Sequence, residues 1–405
     1  MKKRLLKALA LIIVSVMAYG LTACAGGCSS ASSAPPSSAA PGSAAPGSTA
    51  PGSTAPGSSS PGSAAPGSSS HAAPPSSAPP PAQATEDIRG DPVYLTWAHP
   101  FPATHHHNVQ IVEPLIAELY EKSNGLINIT LEPGGTITTG VTAISDVACG
   151  AVDIIWTLPG YTPGLFPLLD CIEFPNYFDS AVEATKVLWE LFRQSREFAD
   201  QYKEYKVFLI FSADMGEIWN STRPIRTPAD CIGLNLRSSG AMTERTMRAL
   251  GLGAAAIPMP DVYDNVERGV IDGLCAGASA IPAYNLQEVV NYGTRGLNLF
   301  ASPQMMAISW DAWNKLSPDL QALWESVTGE DLWIKAAAIY DEMGKTARQG
   351  ITGVEYSVLT ADEAALFREA TANVVAEYIA ELNGRGYNAD AFHDLMVSIR
   401  DNSRK

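Results

Sequence analysis

The chain has 405 residues, of which 46% are hydrophobic, and sets 27 Lys and Arg against 42 Asp and Glu for a net charge of −15. A surface this acidic meets nucleic acid and anionic lipid with charge of its own sign, so neither is expected as a partner, and an anionic ligand would need a local basic group. With the four basic residues of the first 23 set aside, 23 basic and 42 acidic groups remain, a charge near −19.

The opening MKKRLLKALALIIVSVMAYGLTAC joins a basic start (Lys2, Lys3, Arg4, Lys7) to an apolar run from Ala8 to Ala18. It reads as a secretory signal over residues 1–23, too short and wrongly flanked for a permanent membrane helix. Leu21-Thr22-Ala23-Cys24 looks like a lipobox, with cleavage before Cys24 and lipidation of Cys24 supplying a membrane anchor. The alternative is plain secretion by cleavage after Ala23 or Ala25. Residues 24–90 are mostly Ala, Pro, Gly and Ser, with a five-residue Pro-Gly-Ser repeat running from Pro41 to Pro66. Such a segment has nothing to bury and reads as a disordered tether, about 60 residues with a reach of roughly 40–45 Å. Anchor and leash together place the expected location outside the cytoplasm, on the outer face of the cytoplasmic membrane of a Gram-positive bacterium.

About 315 residues follow, enough for two lobes with separate cores. A strand over Tyr94–His99 leads to Pro100–Asn108, then a helix from Val109 to Lys122 that ends at Asn124-Gly125. Strands are predicted over Ile127–Leu131, Asp153–Thr157 and Tyr205–Ser212, with helices over Ile144–Ala148 and Asp179–Ala199. This alternation describes an α/β lobe. From Thr227 to Ala280 the pattern gives a strand over Gly233–Leu236 that delivers Arg237 to a Ser238-Ser239-Gly240 turn. A helix over Ala241–Leu250, a strand over Ala255–Met259 and a helix over Asp261–Arg268 follow. Ligands of such lobes sit beyond the carboxyl ends of strands, where Arg237 falls. Leu297–Phe300 and Met305–Ser309 read as strands returning to the first lobe. Ser317 and Pro318 start a long helix toward Arg348, with Gly329 inside it. Ile351–Val358 is extended, and Glu363–Leu382 is helical.

The ordered series Ile232-Gly233-Leu234-Asn235-Leu236-Arg237, Ala249-Leu250-Gly251 with Pro258-Met259-Pro260 and Tyr263, and Gly269-Val270-Ile271-Asp272-Gly273 resembles the DctP-type solute-binding proteins of TRAP transporters. Leu131–Gly135, Gly150–Ile154, Pro163–Leu168, Arg223-Pro224-Ile225 and Trp313–Pro318 extend the likeness from Pro92 to the C-terminus. The resemblance implies a two-lobed periplasmic-binding-protein-like α/β fold with a long helix spanning both lobes. Residues 91–213 with 301–350 would form lobe I and that helix, and 214–300 with 351–405 lobe II. It implies delivery of a small organic acid to paired TRAP permease subunits driven by an ion gradient; the alternative is a solute-sensing surface receptor not coupled to uptake. Coiled-coil pairing is the rival use of the C-terminal helices, but a monomer is expected, since aromatic residues and Gly329 favour packing on the lobes.

Family members bind acids through an arginine at the position of Arg237, whose planar fork suits a carboxylate in a way a lysine does not. The competing reading of Arg237 is a structural ion pair with Asp261. Many relatives carry an arginine where this chain has Gly216 and an asparagine where it has Ala276, which points to a monocarboxylate with an apolar or aromatic body. The expected walls are His105, Trp156 and Tyr161 from lobe I, with Tyr263, Cys275, Met305 and Trp310 completing the pocket. His105-His106-His107 invites a metal, yet no spaced Cys or carboxylate accompanies it, so no metal is assigned; one of His105 or His106 is expected to touch ligand while the others face water.

No nucleophile elbow, phosphate loop, HExxH helix or dinucleotide fingerprint occurs, so neither an enzyme nor a cofactor is expected. Cys149, Cys171, Cys231 and Cys275 are either free thiols or include one disulfide, Cys149–Cys171 or Cys231–Cys275.

Overall fold

The structure is a computed structural model that describes residues 88–405. The signal segment, Cys24 and the tether up to residue 87 lie outside the described residues. The strands, in chain order, are β1 (Val93–Ala98), β2 (Ile127–Glu132), β3 (Ile154–Thr157), β4 (Tyr205–Ala213), β5 (Glu217–Asn220), β6 (Asn235–Ser238), β7 (Gly253–Ala256), β8 (Gly273–Ala276), β9 (Tyr292–Arg295), β10 (Ser302–Ser309) and β11 (Glu355–Val358). They form a five-stranded sheet in the order β2-β1-β3-β10-β4 and a six-stranded sheet in the order β11-β9-β5-β8-β6-β7. In the first sheet β1 runs parallel to β2 and β3, while β10 is antiparallel to β3 and β4. In the second, β6 is parallel to β7 and β8, and β5 is antiparallel to β8 and β9. Each sheet anchors one lobe, as the two-lobed α/β expectation required.

Helix positions follow from local chemistry. The Ser180 hydroxyl accepts the Glu183 N–H to cap Ala181–Gln194, and the Ser317 hydroxyl accepts the Leu320 N–H to cap Pro318–Val327, with Pro318 in the first turn where no donor is needed. The helix predicted from Pro318 to Arg348 is two helices, Pro318–Val327 and Glu330–Gly350. Thr328 ends the first by donating its hydroxyl to the Trp324 carbonyl at 2.9 Å. Thr371 likewise turns its hydroxyl to the Phe367 carbonyl, and divides the predicted C-terminal helix into Ala361–Ala370 and Ala372–Gly384.

The Glu330–Gly350 helix spans both lobes. Trp333, Ala336, Ala337 and Tyr340 enter the core of the first lobe, and Ala347 enters that of the second. The tail after it corrects the expected lobe boundary. β11 and Phe367 do belong to the second lobe. Val374, Tyr378, Leu382, Phe392 and Met396 instead bury in the first lobe's core, because the chain crosses back at Thr371 and adds a helix, Ala389–Ser403, that the sequence reading did not foresee.

Two further crossings run side by side between the lobes. Gly216 donates its N–H to the Phe300 carbonyl at 2.9 Å, and Leu299 donates to the Gly216 carbonyl at 3.1 Å. Leu297–Phe300, predicted as a strand, is thus an inter-lobe connection. A Cβ on Gly216 would lie 2.5 Å from the Phe300 ring, so the crossing needs glycine there. Among the described residues no helix is long and apolar enough to cross a membrane. Among them too, Cys149, Cys171, Cys231 and Cys275 are free thiols, with Cys149 exposed and the other three buried.

Candidate functional site

A cavity of about 50 Å³ lies between the lobes, several times the ~10–15 Å³ that one water occupies. Its walls include Phe101, His105 and Tyr161 from the first lobe and Arg237, Met259 and Tyr284 from the second. An open groove of about 480 Å³ adjoins it beyond Ser279 and His106, but among the described residues no charged side chain lines that groove.

Arg237 sits one residue before the end of β6 and is 1% exposed. The apolar Leu236 holds the strand in the core, and the next turn opens into the Ala241–Ala249 helix, so the guanidinium is delivered to the cleft. Its Nε donates to the Ile257 carbonyl at 2.7 Å and its Nη2 to the Tyr161 hydroxyl at 3.3 Å. Among the described residues no carboxylate, Asp261 included, lies at ion-pair distance from it. A buried cation without an anion is costly. The cavity beside it supplies the place for one.

Tyr161 comes from the other lobe and bridges the cleft. Its oxygen accepts from Arg237 and also from the Met259 N–H at 2.9 Å, which leaves its own proton free to donate. Burial raises its pKa, and the neighbouring Arg237 partly offsets that. Beside it Glu173 of the first lobe accepts the Thr243 hydroxyl of the second at 3.0 Å. Burial pushes the Glu173 carboxyl up to about 8, so it is largely protonated at neutral pH and does not cancel the Arg237 charge.

The histidines are neutral for the same reason. Burial lowers His99 and His106 to about 4 and holds His105 and His107 well below the ordinary range. His105 Nδ1 accepts the His107 N–H at 3.2 Å, and His107 Nε2 donates to the Ala336 carbonyl at 2.6 Å. The ring nitrogens of His105, His106 and His107 lie within 4.8 Å of one another, but these bonds already commit one nitrogen each of His105 and His107. The expectation that the histidines other than the ligand-touching one face water is corrected for His107, while His106 is half-buried and lines the open groove. His107 is fully buried and stacks on Tyr340 with ring centroids 3.9 Å apart. The helix starts here with a π-helical turn, Asn108–Val112, directly after His107.

Of the residues expected at the walls, Arg237, His105 and Tyr161 line the cavity. Trp156 stands behind it, 5.1 Å from the His105 ring, with its indole N–H on Gln304 Oε1 at 2.7 Å. Four others are elsewhere. Met305 and Cys275 are off by one residue on their strands: Gln304 and Ala276 line the cavity, so their neighbours point to the opposite face and into the cores. Trp310 is 40% exposed and donates its indole N–H to the Lys203 carbonyl at 2.7 Å. Tyr263 turns its hydroxyl to Glu288 at 3.0 Å instead of reaching the cavity. Asp214, Tyr284, Gln304 and Tyr340 line the cavity and were not anticipated. Gly216, beside the Phe300 ring, and Ala276, on the cavity wall itself, were the sequence signals near them.

Residues 98–382 match the sequence model of DctP, bacterial extracellular solute-binding protein, family 7. A curated relative, the 2,3-diketo-L-gulonate-binding periplasmic protein of Escherichia coli, is 24% identical over half of this chain and 62% of its own length, so the match spans less than two thirds of that protein. Among solved structures, a marine metagenome TRAP solute-binding protein specific for aromatic acid ligands, in complex with metahydroxyphenylacetate, is similar at 25% identity, with a TM-score of 0.74 over 77% of this chain and all of that one. A TRAP periplasmic solute-binding protein of Bordetella bronchiseptica with bound mandelate shares the fold at 22% identity and a TM-score of 0.72, over 77% of this chain and 99% of that one. With the two lobes, the enclosed cavity and a family match over most of its length, the chain belongs to the DctP family of bacterial extracellular solute-binding proteins.

Proposed function

We propose that the protein captures a monocarboxylate with an apolar or aromatic body outside the cytoplasm and delivers it to the membrane subunits of a TRAP permease, held at the membrane by lipid on Cys24. The observation that carries the reading is Arg237, a buried guanidinium with no carboxylate partner among the described residues, facing an enclosed cavity. A carboxylate there would receive charge-assisted bonds from Arg237 and a further one from the free Tyr161 hydroxyl. The body of the ligand would meet Phe101, Tyr284 and Phe300.

Two features favour one carboxylate over two. Where many relatives carry polar side chains, this chain has Gly216, against which the Phe300 ring packs, and Ala276, an apolar patch of wall. The remaining charged group on the wall is Asp214, which would repel a second carboxylate. The aromatic-acid ligand of the marine metagenome protein is consistent with this class.

A thermal-melt panel tests the reading. Benzoate, mandelate and 3-hydroxyphenylacetate are expected to raise the melting temperature by mass action, and succinate and glucuronate to leave it in place. Stabilisation by succinate alone would remove the monocarboxylate assignment, and stabilisation by glucuronate alone, a monocarboxylate with a polar body, would remove the apolar or aromatic body.

A further inference from the structure

The cavity wall contributed by the first inter-lobe crossing and the Glu330–Gly350 helix carries hydrogen-bonding groups that a carboxylate on Arg237 does not use. Asp214, 2% exposed, lies in the crossing that follows β4. Its two oxygens accept the Ser279 N–H at 3.1 Å and the Ser279 hydroxyl at 2.5 Å, and each keeps acceptor capacity. Gly277 and Gly344 flank it so closely that a Cβ on either would overlap a carboxylate oxygen. The carboxylate is therefore built into the wall and is not a surface group that swings aside.

Donors stand on the same wall. The Trp156 indole can only donate, so its bond to Gln304 Oε1 at 2.7 Å fixes the amide with Nε2 toward Tyr340. Gln304 Nε2 donates to the Tyr340 oxygen at 2.5 Å. The phenol thus accepts from the protein and keeps its own proton for another partner. At His105 the same logic holds: Nδ1 accepts a backbone N–H, burial keeps the ring neutral, and the ring proton must sit on Nε2. One acceptor and two donors on a single buried wall complement a hydroxyl, which donates once and accepts once or twice.

We infer that the site reads a hydroxyl on its ligand, with Asp214 accepting the hydroxyl proton and Tyr340, aided by His105, donating to its oxygen while Arg237 holds the carboxylate. The ligand class is then a hydroxylated monocarboxylic acid. This rests on the monocarboxylate reading above and narrows it. A methyl group in place of the hydroxyl would leave these buried polar groups unpartnered, which is how a site discriminates between near-isosteres.

Calorimetry with the three hydroxybenzoate isomers against the three methylbenzoates, on wild type, Asp214→Asn and Tyr340→Phe, tests it. At least one hydroxybenzoate is expected to bind wild type tenfold or more tightly than its methyl counterpart. That ratio is expected to fall below threefold in each variant. Because the ratio is taken within one protein, a general loss of stability does not imitate the result. Equal binding of hydroxy and methyl acids by wild type, or a ratio that survives in both variants, would overturn the hydroxyl assignment and leave the monocarboxylate reading standing. Failure of all six acids to bind, together with no rise in melting temperature from mandelate or 3-hydroxyphenylacetate, would overturn both.

Discussion

Gly160 of the first lobe and Gly240 of the second meet backbone to backbone: a Cβ on Gly240 would lie 3.0 Å from the Gly160 Cα, and a Cβ on Gly160 would lie 2.7 Å from the Ser239 carbonyl oxygen. Gly160 immediately precedes Tyr161, and Gly240 follows Arg237 by three residues, so this approach sets how near the Tyr161 hydroxyl comes to the guanidinium. A methyl group at either position would wedge the lobes apart before the 3.3 Å bond between them forms.

Gly160→Ala is therefore expected to weaken ligand binding by about tenfold or more, ~1.4 kcal/mol, through loss of closure. Small-angle scattering separates this from simple unfolding. The ligand-saturated variant is expected to keep the radius of its ligand-free form, and wild type is expected to contract on saturation. Contraction of the variant equal to wild type would show that the glycine pair does not limit closure.

The buried Glu173 links this interface to pH. Its folded pKa, about 8, lies above the ordinary 4.5, so the folded protein holds a proton that the unfolded chain releases. The stability it contributes is full below about pH 4.5 and is lost as pH rises toward 8. His99 and His106, lowered to about 4, act in the opposite sense: their contribution is full above about 6.5 and is lost as pH falls toward 4. Glu173→Gln keeps the shape without the charge and is expected to flatten the fall in melting temperature between pH 6 and 8.5. An unchanged pH profile for this variant would place the titration elsewhere.

Trp310 provides a control. Its indole bonds to the Lys203 carbonyl and its ring is partly exposed at the far end of β10, away from the Gln304 end that lines the cavity. Trp310→Phe is expected to change ligand affinity by less than twofold in calorimetry. A tenfold loss would put this end of β10 back into the site.

Much of the fold was legible because it is written in local chemistry. Alternation over Ile127–Leu131, the Ser-Pro start at Ser317 and the strand-turn-helix around Arg237 each appear within a few residues of their predicted bounds. The strands that escaped notice, β5, β8 and β9, are four residues each and include Glu217, Asn220, Gly273 and Arg295, so they show neither a long apolar run nor a clean alternation. At the site, Arg237 stood out as a charge at the end of an apolar strand. Asp214 and Tyr340 did not, since their place on the wall depends on an inter-lobe crossing and a helix more than a hundred residues apart. Met305 and Cys275 were misplaced by one position because the face of a strand depends on register, which pairing fixes and sequence alone does not.

The central claim is that Arg237 holds the ligand's carboxylate inside the closed cleft. Its most direct test is calorimetry of wild type and Arg237→Lys with an aromatic monocarboxylate that stabilises wild type. Lysine keeps the charge but loses the fork and the bonds that Nε and Nη2 make to Ile257 and Tyr161. Affinity is expected to fall tenfold or more, equivalent to ~1.4 kcal/mol or above. Equal affinity in the two proteins would contradict the account.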